Sequence, residues 1–151
     1  MRKTVYIDPQ DFVDEIKSYQ EALKSSPETA RLSERWGVLA MRLCDNMLLS
    51  KSFCGYPKQQ REDMRSYALQ RLVRASQLVK LDKGPKMVFS YLCRTVHTSF
   101  VNIIMREYAM VEKRNKWMHD ELAKQGVSEA KIEQLLGRKD GKNYTTGRHK
   151  N

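Results

Sequence analysis

No apolar run in this chain approaches the roughly 18 residues that a membrane span needs. The first residues, MRKTVYIDPQDF, carry basic groups with no apolar stretch behind them, so they do not form a signal peptide. Cysteine is scarce and odd in number: Cys44, Cys54 and Cys93, with no CxxC pair. That argues against a disulfide framework and for a reduced compartment, and the expected location is cytoplasmic. GxSxG, P-loop and GxGxxG motifs are all missing. The acid pairs Asp14-Glu15 and Glu62-Asp63 are ordinary helix acids beside basic neighbours, so neither an enzyme nor a cofactor is expected. Cys93 and His97 stand four apart and could meet one metal from a helix. No second pair has zinc-site spacing, and His119 and His149 lie far along the chain, so no metal site is expected. A buried free thiol beside a partly exposed His is the simpler account.

What is present is charge and helical periodicity. The chain has 151 residues, 40% hydrophobic and 30% charged, with a formal net charge of +10. This suits one domain with a packed core and a polyanionic partner. The charge is uneven. From Asp8 to Glu34 there are seven acids and three bases; from Lys51 to Lys116 there are fourteen Lys or Arg and five acids. The pattern predicts an all-α fold, a compact bundle of four to five helices over 1–137. A basic tail over 138–151 reads as flexible.

Asp8 and Pro9 signal the start of a first helix reaching Ser25, with Phe12, Ile16, Tyr19 and Leu23 on one stripe. Ser26, before Pro27-Glu28, reads as the cap of a second helix carrying Leu32, Trp36, Leu39, Leu43, Met47 and Leu48. After the turn Phe53-Cys54-Gly55-Tyr56-Pro57, a third helix over 58–80 presents Met64, Ala68, Leu72, Ala75 and Val79, with Leu69, Val73 and Leu78 widening the stripe. Leu81-Asp82-Lys83-Gly84-Pro85 breaks it. A fourth helix starts near Lys86 and extends past Met110 toward Lys124. A short last helix spans 128–136.

The fourth helix, KMVFSYLCRTVHTSFVNIIMRE over 86–107, carries the functional signal. Val88, Leu92, Val96, Phe100 and Ile103 form its core stripe, flanked by Phe89, Cys93 and Ile104. Met87, Tyr91, Arg94, Thr95, Thr98, Asn102, Met105 and Arg106 fall outside, with His97 near the boundary. A ring to stack on, guanidinium groups for phosphate and polar groups for base edges suit unstacked bases. A solvated face with one exposed Tyr accounts for the same pattern.

The order FCGY at 53–56, EDM at 62–64, a basic amphipathic helix, LD at 81–82 and FSYLCRTVHTSFVNIIMRE at 89–107 resembles conserved region 2 of bacterial sigma factors. It is most similar to the small late-transcription sigma factors of T-even-type tailed phages, over about residues 35 to 117. Leu81 stands where that family has Phe, and Met87-Val88 where it has Asn-Pro. No region 4-like helix-turn-helix is expected to follow, and the tail is basic where those factors end in an acidic-hydrophobic clamp motif. The resemblance implies a promoter-specificity subunit, monomeric outside its complex, that opens an AT-rich −10-like element, mainly through the non-template strand. It implies docking of Asp63, Ser66, Tyr67, Leu69, Gln70 and Val73 on the β′ clamp coiled coil of RNA polymerase. It assigns DNA to Lys83, Lys86, Phe89, Tyr91, Arg94, Thr95, His97, Thr98, Asn102 and Arg106. Two other readings fit the sequence. One is a basic helical structural or virion protein that binds nucleic acid through phosphates alone. The other is an adaptor that binds polymerase without reading promoters.

Overall fold

Local chemistry at Asp8 opens the first helix. Its side chain accepts from the Gln10 N–H at 3.0 Å, and Pro9 takes the first helical position, where a missing N–H costs nothing. The computed structural model describes residues 3–136. These hold five helices and no strand: α1 Pro9–Ser25, α2 Glu34–Leu48, α3 Lys58–Leu78, α4 Pro85–Lys124 and α5 Glu129–Leu136. The chain divides into two units with the boundary between Val101 and Asn102, inside the continuous helix α4. The basic tail of 138–151 lies outside the described residues.

The first unit contains α1, α2, α3 and the start of α4. Its core is built from the helical stripes: Phe12 and Ile16 of α1, Leu39 and Leu43 of α2, Met64, Ala68 and Leu72 of α3, and Val88, Leu92, Val96 and Phe100 of α4. Each large apolar side chain buried this way contributes about 1.5–3 kcal/mol. The turn after α2 adds a residue to this core. Phe53 is 3% exposed and meets Phe100 edge-on at a ring distance of 5.1 Å. The other edge-on neighbour of Phe53 is His97, at 5.4 Å.

Polar side chains of α1 and α2 fix the last turn of α3. Gln20 Nε2 donates to the carbonyls of Ser76 (3.1 Å) and Val79 (2.8 Å), which lie where a helix end leaves carbonyls without intrahelical partners. Trp36 Nε1 donates to the buried Ser76 Oγ at 3.0 Å, and Gln77 Nε2 donates to Tyr19 Oη at 3.0 Å. The end of α3 is therefore held from two helices, and this end forms one wall of the candidate site.

Three expectations are corrected. Ser26 does not start α2; it closes α1, its N–H donating to Ala22 O at 2.8 Å. The α2 cap is Ser33, which accepts from the Trp36 N–H at 3.1 Å and donates to Glu15 at 2.5 Å. Both serines have capping chemistry, and only Ser33 lies within reach of an α1 carboxylate. Leu32 therefore precedes α2 rather than lying on its face. Leu78 is 65% exposed, because α3 ends there and the chain turns away at Val79.

In the second unit, α4 ends in a Schellman motif. Gly126, at φ +82, lets its N–H bond Ala123 O and the Val127 N–H bond Leu122 O, both at 3.1 Å. The α5 helix begins one residue after Ser128, whose carbonyl accepts from Ile132 N–H at 3.0 Å. Among the described residues of this unit, the buried ones are Ile104, His119 and Ile132.

Candidate nucleic-acid interface

The break between α3 and α4 turns on one residue. Gly84 has φ +93, a conformation that L side chains rarely adopt, and its carbonyl accepts from Val88 N–H at 3.2 Å to open α4. Pro85 follows at the first helical position. The turn swings the chain so that the start of α4 faces the end of α3. Between them lies a groove of about 320 Å³ lined by Leu78, Val79, Lys80, Lys83, Met87, Val88, Ser90, Tyr91 and Arg94. Its apolar lining residues are Leu78, Val79, Met87, Val88 and the Tyr91 ring. Lys80, Lys83 and Arg94 supply three positive charges with no acid in the lining.

This is the chemistry a splayed base with its phosphate would meet. A ring face stacks with a base, the thioether and leucine methyl groups fill space beside it, and the cations face the backbone. Tyr91 is 44% exposed and Arg94 is exposed. Leu78 and Met87, both exposed, line this groove together with Tyr91.

Of the residues assigned from the resemblance, Lys83, Tyr91 and Arg94 line this groove, and the rest are scattered around it. Lys83 borders a second depression of about 580 Å³, where it meets Lys86, Tyr6, Asp8 and Gln10. Thr98 and His97 are exposed farther along α4, with His97 turned against Phe53. Thr95 is half-buried, and its hydroxyl donates to Tyr91 O at 3.0 Å, leaving the oxygen as an acceptor only. Phe89 is half-buried with its ring 6.3 Å from Phe12, so it packs toward α1 and does not line the groove. Asn102, half-buried, and Arg106, exposed, belong to the second unit.

On α3, Asp63, Ser66 and Gln70 are exposed, and Tyr67, Leu69 and Val73 are half-buried. Gln59 Nε2 donates to Asp63 at 3.4 Å. The Arg71 guanidinium lies 5.9 Å from the Tyr67 ring centre, within cation–π range. Six groove residues lie outside the set that the resemblance assigns to DNA: Leu78, Val79, Lys80, Met87, Val88 and Ser90. Leu78 reads as core by spacing, Lys80 as one charge among fourteen, and Met87 as part of the outer face without a role. Only the turn at Gly84 brings them together.

Among the described residues no group of three or more His, Cys, Asp or Glu is placed to hold a metal ion. Burial pushes the Cys44 thiol up to about 12, with the neighbouring Asp45 charge adding to the rise and Arg65 opposing it. Burial also raises Cys93. Both thiols are thus held protonated at neutral pH, unlike nucleophiles or metal ligands, which need the thiolate. No helix among the described residues is long and apolar enough to cross a membrane. Comparison of the chain with protein-family models, with curated proteins and with solved structures gives no match.

Proposed function

We propose that this protein is a promoter-specificity subunit, similar to region 2 of the small phage late-transcription sigma factors. It would direct a bacterial-type RNA polymerase core to an AT-rich −10-like element and open it, acting in the bacterial cytoplasm without chemistry of its own. The observation that carries this reading is the groove at the α3–α4 turn, where Tyr91, Met87 and Leu78 meet Lys80, Lys83 and Arg94. In the proposed mechanism the basic field gathers duplex DNA without sequence preference. An unstacked base of the non-template strand then enters the groove and stacks on Tyr91 while Arg94 holds its phosphate. TA steps unstack easily, so AT-rich sequence lowers the cost of opening. The exposed stripe of Asp63, Ser66 and Gln70 on α3 would meet the polymerase.

Reconstituted transcription by core polymerase with and without the protein tests the reading. Permanganate footprinting reports unpaired thymines at the start site. The wild-type chain should produce them, and Tyr91→Ala with Arg94→Ala should abolish them while polymerase pull-down persists. Opening that survives the double substitution would end the assignment of this groove. A chain that neither binds polymerase nor distinguishes DNA sequences would instead be a phosphate-binding structural protein.

A further inference from the structure

A second cationic cleft lies at the opposite end of α3, about 25 Å along the helix from the groove at 1.5 Å per residue. It has a volume of about 550 Å³ and shares no residue with that groove. Five cations line it: Lys3, Arg42, Lys58, Arg61 and Arg65. Two acids also line it, Asp45 and Glu62, and Asp45 is already paired with Arg65 at 3.2 Å. The balance of charge in the cleft is therefore positive.

Three features make this a built cleft rather than a chance gathering of surface lysines. The N-terminal segment is pinned onto α2 by a reciprocal pair: Val5 N–H donates to Asn46 Oδ1 at 2.8 Å, and Asn46 Nδ2 donates to Val5 O at 2.6 Å. That pair is what brings Lys3 to the cleft. The Asp45 carboxylate holds the Arg65 guanidinium in place. Finally, Arg61 is partly buried, and its Nε is shielded from solvent with no hydrogen-bond partner. With Nε unsatisfied, this guanidinium stands to gain from an anion that meets its other N–H groups in the cleft it lines. The start of α3 adds to the field. Pro57 precedes it with no side-chain cap, so the first-turn N–H groups of Lys58, Gln59 and Gln60 sit at the positive end of the helix dipole.

We propose that this cleft binds phosphate groups, with Arg42, Arg61 and Lys58 as the principal donors. Arginine forks and a helix N-terminus both match phosphate oxygens. The phosphate comes either from a free polyphosphate, such as the tail of a nucleotide, or from a nucleic-acid backbone. The proposal is independent of the promoter reading, since none of its residues belongs to the groove at Tyr91.

Calorimetric titration of the full chain with inorganic triphosphate tests the first source. Fluorescence anisotropy with a single strand of about twelve nucleotides tests the second. Both are repeated on Arg42→Glu with Lys58→Glu, two exposed positions. Triphosphate binding that weakens about tenfold or more in the variant assigns the cleft to free polyphosphate. No triphosphate binding, with the salt slope of strand binding shallower by about 1.4 in the variant, assigns it to backbone phosphates. Strand and triphosphate binding both unchanged in the variant would overturn the proposal. So would a poly-glutamate peptide that binds more tightly than either and is lost in the same variant, which would point to an acidic protein partner. Should the variant lose its helical circular dichroism, amide NMR of the wild-type chain decides. Shifts centred on Arg42, Lys58 and Arg61 when triphosphate or strand is added support the site. Shifts elsewhere, or none, refute it.

Discussion

Ser76 is a polar residue with no exposure, and it holds the end of α3 through a single hydroxyl. Its Oγ accepts from Trp36 Nε1 at 3.0 Å inside the core. Ser76→Ala leaves that indole N–H without a partner, an expected loss of about 1–3 kcal/mol in urea unfolding. Ser76→Ala with Trp36→Phe removes both ends and should recover part of that loss. A single substitution with no effect would mean the bond adds nothing to the fold. Cys44 is a second residue with a measurable signature. Its folded pKa of about 12 lies above the ordinary value of 9.0, because burial disfavours the thiolate. The folded state therefore keeps a proton that the unfolded state releases above pH 9. The stability from this group is fully present below pH 9 and is lost as pH rises from 9 toward 12. The slope approaches about 1.4 kcal/mol per pH unit. Cys44→Ala should flatten the fall in stability over that window, measured by denaturant unfolding at several pH values. An identical pH profile in both proteins would refute the burial account.

At the scale of elements, the turn between α3 and α4 decides the geometry of the groove, and one glycine decides the turn. At Gly84 a Cβ would meet nothing within 4 Å, so Gly84→Ala brings no steric clash. The whole penalty is conformational, from φ +93, and should be about 1–2 kcal/mol. If the turn relaxes to relieve it, Lys83 and Met87 move relative to Lys80, and strand binding falls more than stability does. Thermal unfolding and strand affinity measured together separate the two effects. Stability equal to wild type would show that the turn tolerates another conformation. The same element shows why the helices were legible in the sequence and the groove was not. The α1 start, the long α4 and the core stripe from Val88 to Phe100 follow from caps and from 3.6-residue periodicity, which are local. Leu78 carries the same flanking signal as Leu69 and Val73, yet it is exposed where they are half-buried, because burial depends on where the helix ends against Gln20 and Trp36. The α2 helix starts after Ser33 rather than Ser26 for a related reason: the two have equal capping chemistry, and the choice rests on Glu15, eighteen residues before Ser33. Phe53 and Phe89 likewise find their partners across the bundle, beyond any local pattern.

For the whole molecule, the net charge of +10 guarantees attraction to any nucleic acid, so attraction alone does not distinguish a reader of open strands from a generic polycation binder. The groove makes a sharper prediction because its two kinds of group respond differently to salt. Lys80 and Lys83 act on phosphates by releasing counterions, and each is expected to set about 0.7 of the slope of log affinity against log salt on single strands. Tyr91 acts by stacking, which leaves that slope alone. Tyr91→Ala should therefore lower affinity for a single strand at every salt concentration, by about 1–3 kcal/mol, with the slope unchanged. Lys80→Ala with Lys83→Ala should make the slope shallower by about 1.4, and its effect should fade toward high salt. Duplex DNA offers no free base faces, so the same Tyr91 substitution should leave duplex affinity nearly as it was. Anisotropy on both substrates across a range of salt concentrations measures all of this in one series. A Tyr91→Ala protein that binds single strands like wild type would place its DNA contacts on charge alone. The α3–α4 groove would then have no claim to reading separated bases, whatever its shape.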